Sequence, residues 1–235
     1  MNNDEKLVET YLSLLGYKSI VHEPDGNIPP DFLVDRKIAV EVRRLNQNYT
    51  FQDGNTKGLE EQRIPLWHKL EKLLNDFGLP TNNRSWRIGI RFKRPIESWS
   101  KLKPKIQKLL EDFKNQELDK MEACEISENF TIKITPTSTP LESMFLMATS
   151  RDRNSGGWVL SEMEINLRLV IAEKCKKIEK FKLKYKEWWL VLPNHIGYSL
   201  NEFDKKQFKE MFLMSHYWDK IILINPLDPS NSFEV

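Results

Sequence analysis

At 235 residues, 40% of them hydrophobic and 30% charged, the chain is long enough to bury a substantial core under a rather polar surface, as one domain of ordinary size or one carrying an insertion. A formal net charge of +2 is too small to imply a polyanionic partner, and two isolated cysteines, Cys124 and Cys175, exclude a disulfide framework or a zinc site and read as buried thiols. The opening MNNDEKLVE is acidic where a secretory signal needs basic and then apolar residues, and no apolar run approaches spanning length, so no membrane and a cytoplasmic location are the default expectations.

In chain order, Leu7, Val8, Tyr11, Leu12, Leu14 and Leu15 recur at helical spacing and predict a first helix from about Asn3 to Leu15, stopped by Gly16. A strand near Tyr17 to His22 follows, then the turn-rich EPDGNIPP, then PDFLVDRKIAVEVRRL, which reads as a half-buried hairpin. With Asp35, Arg36 and Lys37 in its turn, Val34 faces Ile38, Phe32 faces Val40 and Asp31 lies across from Glu41. Phe32, Val34, Ile38, Val40 and Val42 then share one apolar side, while Asp31, Leu33, Ala39, Glu41 and Arg43 share the other. Further on, LEEQRIPLWHKLEKLLNDFG predicts a helix ending at Gly78 with a break near Pro65, SWRIGIRF a strand, PIESWSKLKPKIQKLLEDFKNQE a helix, and NFTIKITPT and MFLMATS strands. RDRNSGGW is a loop. A long helix from Ser161 to about Tyr185 leads into the fully apolar strand WWLVL, a helix near Asp204 to Met214, and the strand KIILI. The terminal portions thus read as one α/β core, with roughly residues 55 to 150 as an insertion or added layer within a single domain of 1–235.

Two carboxylates directly opposite one another on adjacent strands repel, and each raises the other's pKa unless a cation lies between them. A bound divalent metal resolves the conflict between Asp31 and Glu41.

The order of a helix reading EKLVETYLSLLGY, a strand, P30-D31, nine residues, and E41-V-R43 resembles the PD-(D/E)XK superfamily of restriction-endonuclease-like nucleases. The passage from IAEKCKK to YKEWWLVL is similar to that family's second core helix and fourth strand. The resemblance implies an α/β fold with an αβββαβ core, a mixed central sheet flanked by helices, holding a catalytic metal between the motif's acids. It further implies that Glu5, on the first helix, approaches the same site; Glu9 is the second choice. Asp25 competes with Asp31 as the acid of a PD pair, but DGN reads as a turn. The motif's third residue is usually lysine, whereas this chain has Arg43, which stays protonated and cannot serve as a general base. Arg43 is instead suited to gripping and stabilising a phosphate. In some members the lysine comes from elsewhere in the fold, and Lys174 and Lys177, three apart on one face of the second core helix, are the candidates.

Phosphodiester hydrolysis needs an activated water and stabilisation of charge on the phosphate and leaving oxygen, all of which a hard cation serves. Asp31 and Glu41 are oxygen ligands of the kind Mg²⁺ or Mn²⁺ prefers, and the carbonyl of Val42 is a further one. Each residue also has a plainer reading: Glu5 as a solvated helix glutamate, Asp31 as the start of a strand, Glu41 as Arg43's ion-pair partner, and Lys174 and Lys177 as surface lysines. The segment 168–187 carries eight basic residues against three acidic ones, and with Arg151 and Arg153 in the glycine-bearing loop it is a candidate contact for a nucleic-acid backbone. The expected function is that of a Mg²⁺-dependent DNA endonuclease of the restriction, defence or repair type, and a homodimer stays open. The alternative is a catalytically degenerate nuclease fold that binds nucleic acid or acts as an interaction scaffold.

Overall fold

A computed structural model describes residues 1–114, 120–198 and 200–235. The chain is mixed α/β and divides into two compact units, Met1–Gln47 with Gly157–Val235, and Asn48–Gly156. No described helix is long and apolar enough to cross a membrane.

The first unit is built on a six-stranded sheet of order β1-β2-β3-β10-β11-β12, where β1 is Ile20–His22, β2 Phe32–Val34, β3 Ile38–Val42, β10 Glu187–Pro193, β11 Lys220–Asn225 and β12 Asp228–Glu234. β1, β2 and β3 form an antiparallel meander, β3, β10 and β11 run parallel, and β12 returns antiparallel. The hairpin pairs Val34 with Ile38, Leu33 with Ala39 and Phe32 with Val40, the register that the alternation of side chains predicts. It is not half-buried, however: every residue of β3 is buried, because β3 sits inside the sheet with helices over both faces. Helix α1 (Asn3–Leu14) lays Val8, Tyr11 and Leu12 against Phe32, Val34, Val40 and Val42. Helix α4 (Val159–Ile178) covers the other face, packing Leu167, Val170 and Ile171 among Ala39, Trp188 and Leu190, with Phe208 of α5 (Glu202–Met211) in the same core. The unbroken apolar run of β10 follows: Trp188, Leu190 and Leu192 face α4 while Trp189 and Val191 face α1.

Gly16 ends α1 at φ 88°, and the Tyr17 N–H bonds back to the Leu12 carbonyl, so the expected glycine stop is a left-handed helix cap. The fourth helix stops at Ile178, short of the expected Tyr185, and a 3-10 turn covers Lys182–Lys184. Tertiary bonds outcompete continued helix there: the Lys182 carbonyl accepts from the Trp188 indole, and Tyr185 donates to Asp25 at 2.6 Å.

The second unit opens with a small hairpin, β4 (Asn48–Thr50) and β5 (Thr56–Gly58), followed by α2 (Leu59–Asn75). Its four-stranded sheet has the order β7-β8-β6-β9, comprising β6 (Trp86–Phe92), β7 (Glu122–Ser127), β8 (Phe130–Pro136) and β9 (Phe145–Asp152). Leu66, Leu70 and Leu73 of α2, and Leu102, Ile106 and Leu110 of α3 (Trp99–Lys114), pack on one sheet face against Ile88, Ile90, Ile132 and Phe145. α2 runs unbroken through Pro65, which lies on its exposed side, where water can take the carbonyl that loses its partner. The predicted end of α3 at residues 115–117 lies outside the described residues. Arg94 is buried with Asp152, each side chain 1% exposed; its Nη1 donates to both carboxylate oxygens and its Nη2 to the Leu59 carbonyl.

Candidate active site

Asp31, the residue just before β2, lies beside the end of β3, where its Oδ2 accepts the Val42 N–H at 2.7 Å. Glu41 is fully buried, its side chain 0% exposed. From α4, the Lys174 ammonium reaches Glu41 Oε2 at 2.6 Å and Asp31 Oδ2 at 3.7 Å. Lys177, on the next turn, lies 3.2 Å from the same Glu41 oxygen and 3.9 Å from Asp31 Oδ1. Lys174 is buried as part of the inward face that also carries Val170, Ile171 and Ile178, whereas Lys177 is about half exposed. Burial pulls the Lys177 pKa down, but the charges of Glu41 and Asp31 outweigh it and hold the ammonium above its ordinary value. The structure therefore gathers Asp31, Glu41, Lys174 and Lys177. Arg43 stands at the margin: its Nε is 3.5 Å from Glu173 of α4 and, though shielded from water, makes no hydrogen bond.

Glu5 is engaged elsewhere. It closes a capping box on α1, accepting from the Asn2 N–H at 2.7 Å while its own N–H donates to Asn2, and its Oε2 lies 3.2 Å from His22 Nε2 on β1. The spacing N-x-x-E at residues 2–5 is the sequence signal for that role. The neighbouring Asp4 makes a cluster that the sequence reading missed: it accepts from Arg44 Nε at 2.9 Å, lies 3.2 Å from His195 Nε2, and His195 Nδ1 lies 3.0 Å from the Tyr198 hydroxyl. Burial would raise the Asp4 pKa, yet the bonds to His195 and Arg44 hold it below the ordinary carboxylate value. Asp25, the rival acid, is tied to Lys184 and Tyr185. Arg151 lies on β9 of the second unit and Arg153 just beyond that strand. Within the basic segment 168–187, Arg168 is paired with Glu164, Lys184 with Asp25, and Lys174 and Lys177 with the hairpin acids.

Two ammonium groups supply the positive charge that the opposed acids demand. Among the described residues no three or more His, Cys, Asp and Glu side chains converge as a metal cluster, so any ion here would rest on two carboxylates. Mg²⁺ tolerates such a set, since it keeps several waters and commonly takes only one or two carboxylates plus substrate phosphate. Glu41 Oε1 is buried with no hydrogen-bond partner, a carboxylate oxygen still able to take a ligand. On that ground the residues fit a hard divalent cation.

No protein-family model, curated protein or solved structure matches this chain.

Proposed function

We propose that the chain is a metal-dependent phosphodiester hydrolase acting on DNA, built on a PD-(D/E)XK-type core. The observation that carries this reading is the approach of Lys174 to both Glu41 and Asp31, at 2.6 and 3.7 Å. In this reading α4 contributes the lysine that the ExR motif lacks, and Glu41 Oε1, buried without a hydrogen-bond partner, is the oxygen left for an ion. The order of α1, β1, β2 and β3, then α4 and β10 after the second unit, agrees with the helix and strand succession of that family.

In this reading Asp31 and Glu41, with the Val42 carbonyl, hold Mg²⁺ or Mn²⁺, which when bound lowers the pKa of water and offsets charge on the phosphate. The Val42 N–H fixes the Asp31 carboxylate in place. Lys174, held against Glu41 by burial, sets a positive charge and hydrogen-bond donors where negative charge develops. Lys177, half exposed, draws the phosphate toward the acids, and Arg43 contributes a third cation at the margin.

The test is nicking of supercoiled plasmid with Mg²⁺ or Mn²⁺. Cleavage is expected from the natural chain and lost in Glu41→Gln and Lys174→Met; cleavage surviving Glu41→Ala excludes this site. A second reading has one observation in its favour: two ammonium groups already balance two carboxylates, so the cluster is neutral without an ion. A fold retained only for binding nucleic acid would then show no Mg²⁺ uptake in calorimetry, and its DNA binding would be indifferent to divalent ions.

A further inference from the structure

We infer that the open face of the second unit's sheet is a binding surface for the phosphate backbone of duplex nucleic acid. The helices α2 and α3 cover only the face bearing Ile88, Ile90, Ile132 and Phe145. The alternate positions point the other way and bring together Arg87 and Arg91 of β6, Lys133 of β8 and Arg151 of β9, all four exposed.

The register makes this cluster costly in isolation. Arg91 is paired directly with Arg151 across β6 and β9, and Lys133 with Gly89 across β6 and β8. Like charges opposite one another destabilise a sheet unless a counter-charge lies over them. The chain provides none: among the described residues no ion pair or side-chain hydrogen bond engages any of the four cations. Among the described residues of these strands the carboxylate on the same face is that of Glu125, paired in register with Thr131 rather than with a cation. By contrast, the basic segment 168–187 spends Arg168, Lys174, Lys177 and Lys184 on the protein's own acids. That segment keeps Lys176, Lys180, Lys182 and Lys186 outside any ion pair among the described residues, but only on this sheet face does the register set two arginines directly opposite one another.

The centre of the face is flat and small. A side chain at Gly89 would put its Cβ 2.6 Å from Thr149 Oγ1 and 3.6 Å from the Lys133 Cβ, so glycine there lets the neighbouring strands' side chains close over β6. Thr131 and Thr149 add hydroxyls suited to phosphate oxygens. Aromatic residues on these strands, Trp86, Phe92, Phe130 and Phe145, are all turned into the core. A single-strand platform stacks bases on exposed rings, whereas cations and hydroxyls without rings suit the outside of a duplex, where contacts go to phosphates and carry little sequence information.

The inference concerns where the proposed hydrolase would hold its substrate, and it rests on that reading only for the identity of the duplex as DNA. Binding of a fluorescent 30-base-pair DNA to the full chain, measured in EDTA across a salt series, tests it. The combined variant Arg87→Gln, Arg91→Gln, Lys133→Gln and Arg151→Gln is expected to lose at least tenfold in affinity at low salt. Its log–log salt slope should shrink by about 0.9 for each phosphate contact removed. Should the combined variant fold poorly, Arg91→Gln and Arg151→Gln singly give the same readout in smaller steps. Unchanged affinity and slope in a folded variant overturn the inference, as does tighter binding to the single strand than to the duplex, or binding to anionic lipid vesicles equal to that of DNA. Plasmid nicking is scored separately: loss of duplex binding in the combined variant with no cleavage by the natural chain sinks the hydrolase and leaves this surface standing. Cleavage abolished by Glu41→Gln with binding intact in the combined variant does the reverse.

Discussion

Lys174 on α4 and Glu41 on β3 stand 133 positions apart in the chain and meet at 2.6 Å, with side chains 6% and 0% exposed. Removing one partner of such a pair leaves a desolvated charge, typically a loss of about 3–5 kcal/mol. Lys174→Met is therefore expected to destabilise the first unit by about 3 kcal/mol, softened by Lys177, which still reaches Glu41. Lys177→Met, at a side chain 44% exposed, should cost no more than about 1 kcal/mol. Hydrogen exchange of the β3 and β10 amides measures both, and equal losses would contradict the assignment of Lys174 as the principal partner.

Lys177 also sets a limit at high pH. Burial lowers its folded pKa, but Glu41 and Asp31 outweigh that effect and hold it above the ordinary 10.5. A raised pKa means that its share of stability is complete below 10.5 and is lost as the pH climbs through the higher folded value. As the pH rises past 10.5 the natural chain should therefore lose stability more steeply than Lys177→Met, in urea titrations at fixed temperature. Parallel curves would count against the coupling.

Asp4 works in the opposite direction. Burial raises its pKa, but hydrogen bonds from His195 and Arg44 prevail and leave it below 3.8. Its stabilising share is present above the unfolded value and vanishes as the pH falls through the lower folded one. Asp4→Asn should flatten the acid limb of the stability curve between about pH 2 and 4 while changing plasmid nicking far less than Glu41→Gln does. An acid limb identical to that of the natural chain would remove Asp4 from the account.

The hairpin register was legible because period-two alternation in FLVDRKIAVEV leaves one way to bury Phe32, Val34, Val40 and Val42 together. The opposition of Asp31 and Glu41 followed from it. Burial of β3 on both faces was hidden, since it depends on α4, which enters the chain more than a hundred residues later. For the same reason periodicity marked Lys174 and Lys177 as neighbours on one helix face without saying that this face turns inward. Glu5 shows the converse: helical spacing allowed it toward the hairpin, but a local capping box with Asn2 and a contact to His22 claim the carboxylate. Short polar strands escaped notice as well. β7 reads EACEIS and β12 DPSNSFE, and neither carries an apolar run or clean alternation strong enough to mark a strand.

In the second unit, Arg94 and Asp152 provide a buried pair with no place in the proposed chemistry. Arg94 Nη1 contacts both Asp152 oxygens at 2.8 and 2.7 Å, its guanidinium lies over Tyr49 and Phe92, and Asp152 Oδ1 also accepts the Asn154 N–H at 3.0 Å. Asp152→Asn keeps an acceptor for Asn154 but strips the charge that matches the guanidinium, so the loss should approach the 3–5 kcal/mol typical of a broken buried pair. Arg94→Met with Asp152→Leu removes both charges at similar volume and should recover most of that loss, because two desolvation penalties disappear together. The two-unit chain need not unfold in a single step, so the comparison belongs on the exchange rates of β6 and β8 amides rather than on one midpoint. A double variant no more stable than Asp152→Asn would mean that the bonds to Leu59 and Asn154, and not the ion pair, hold this corner of the unit together.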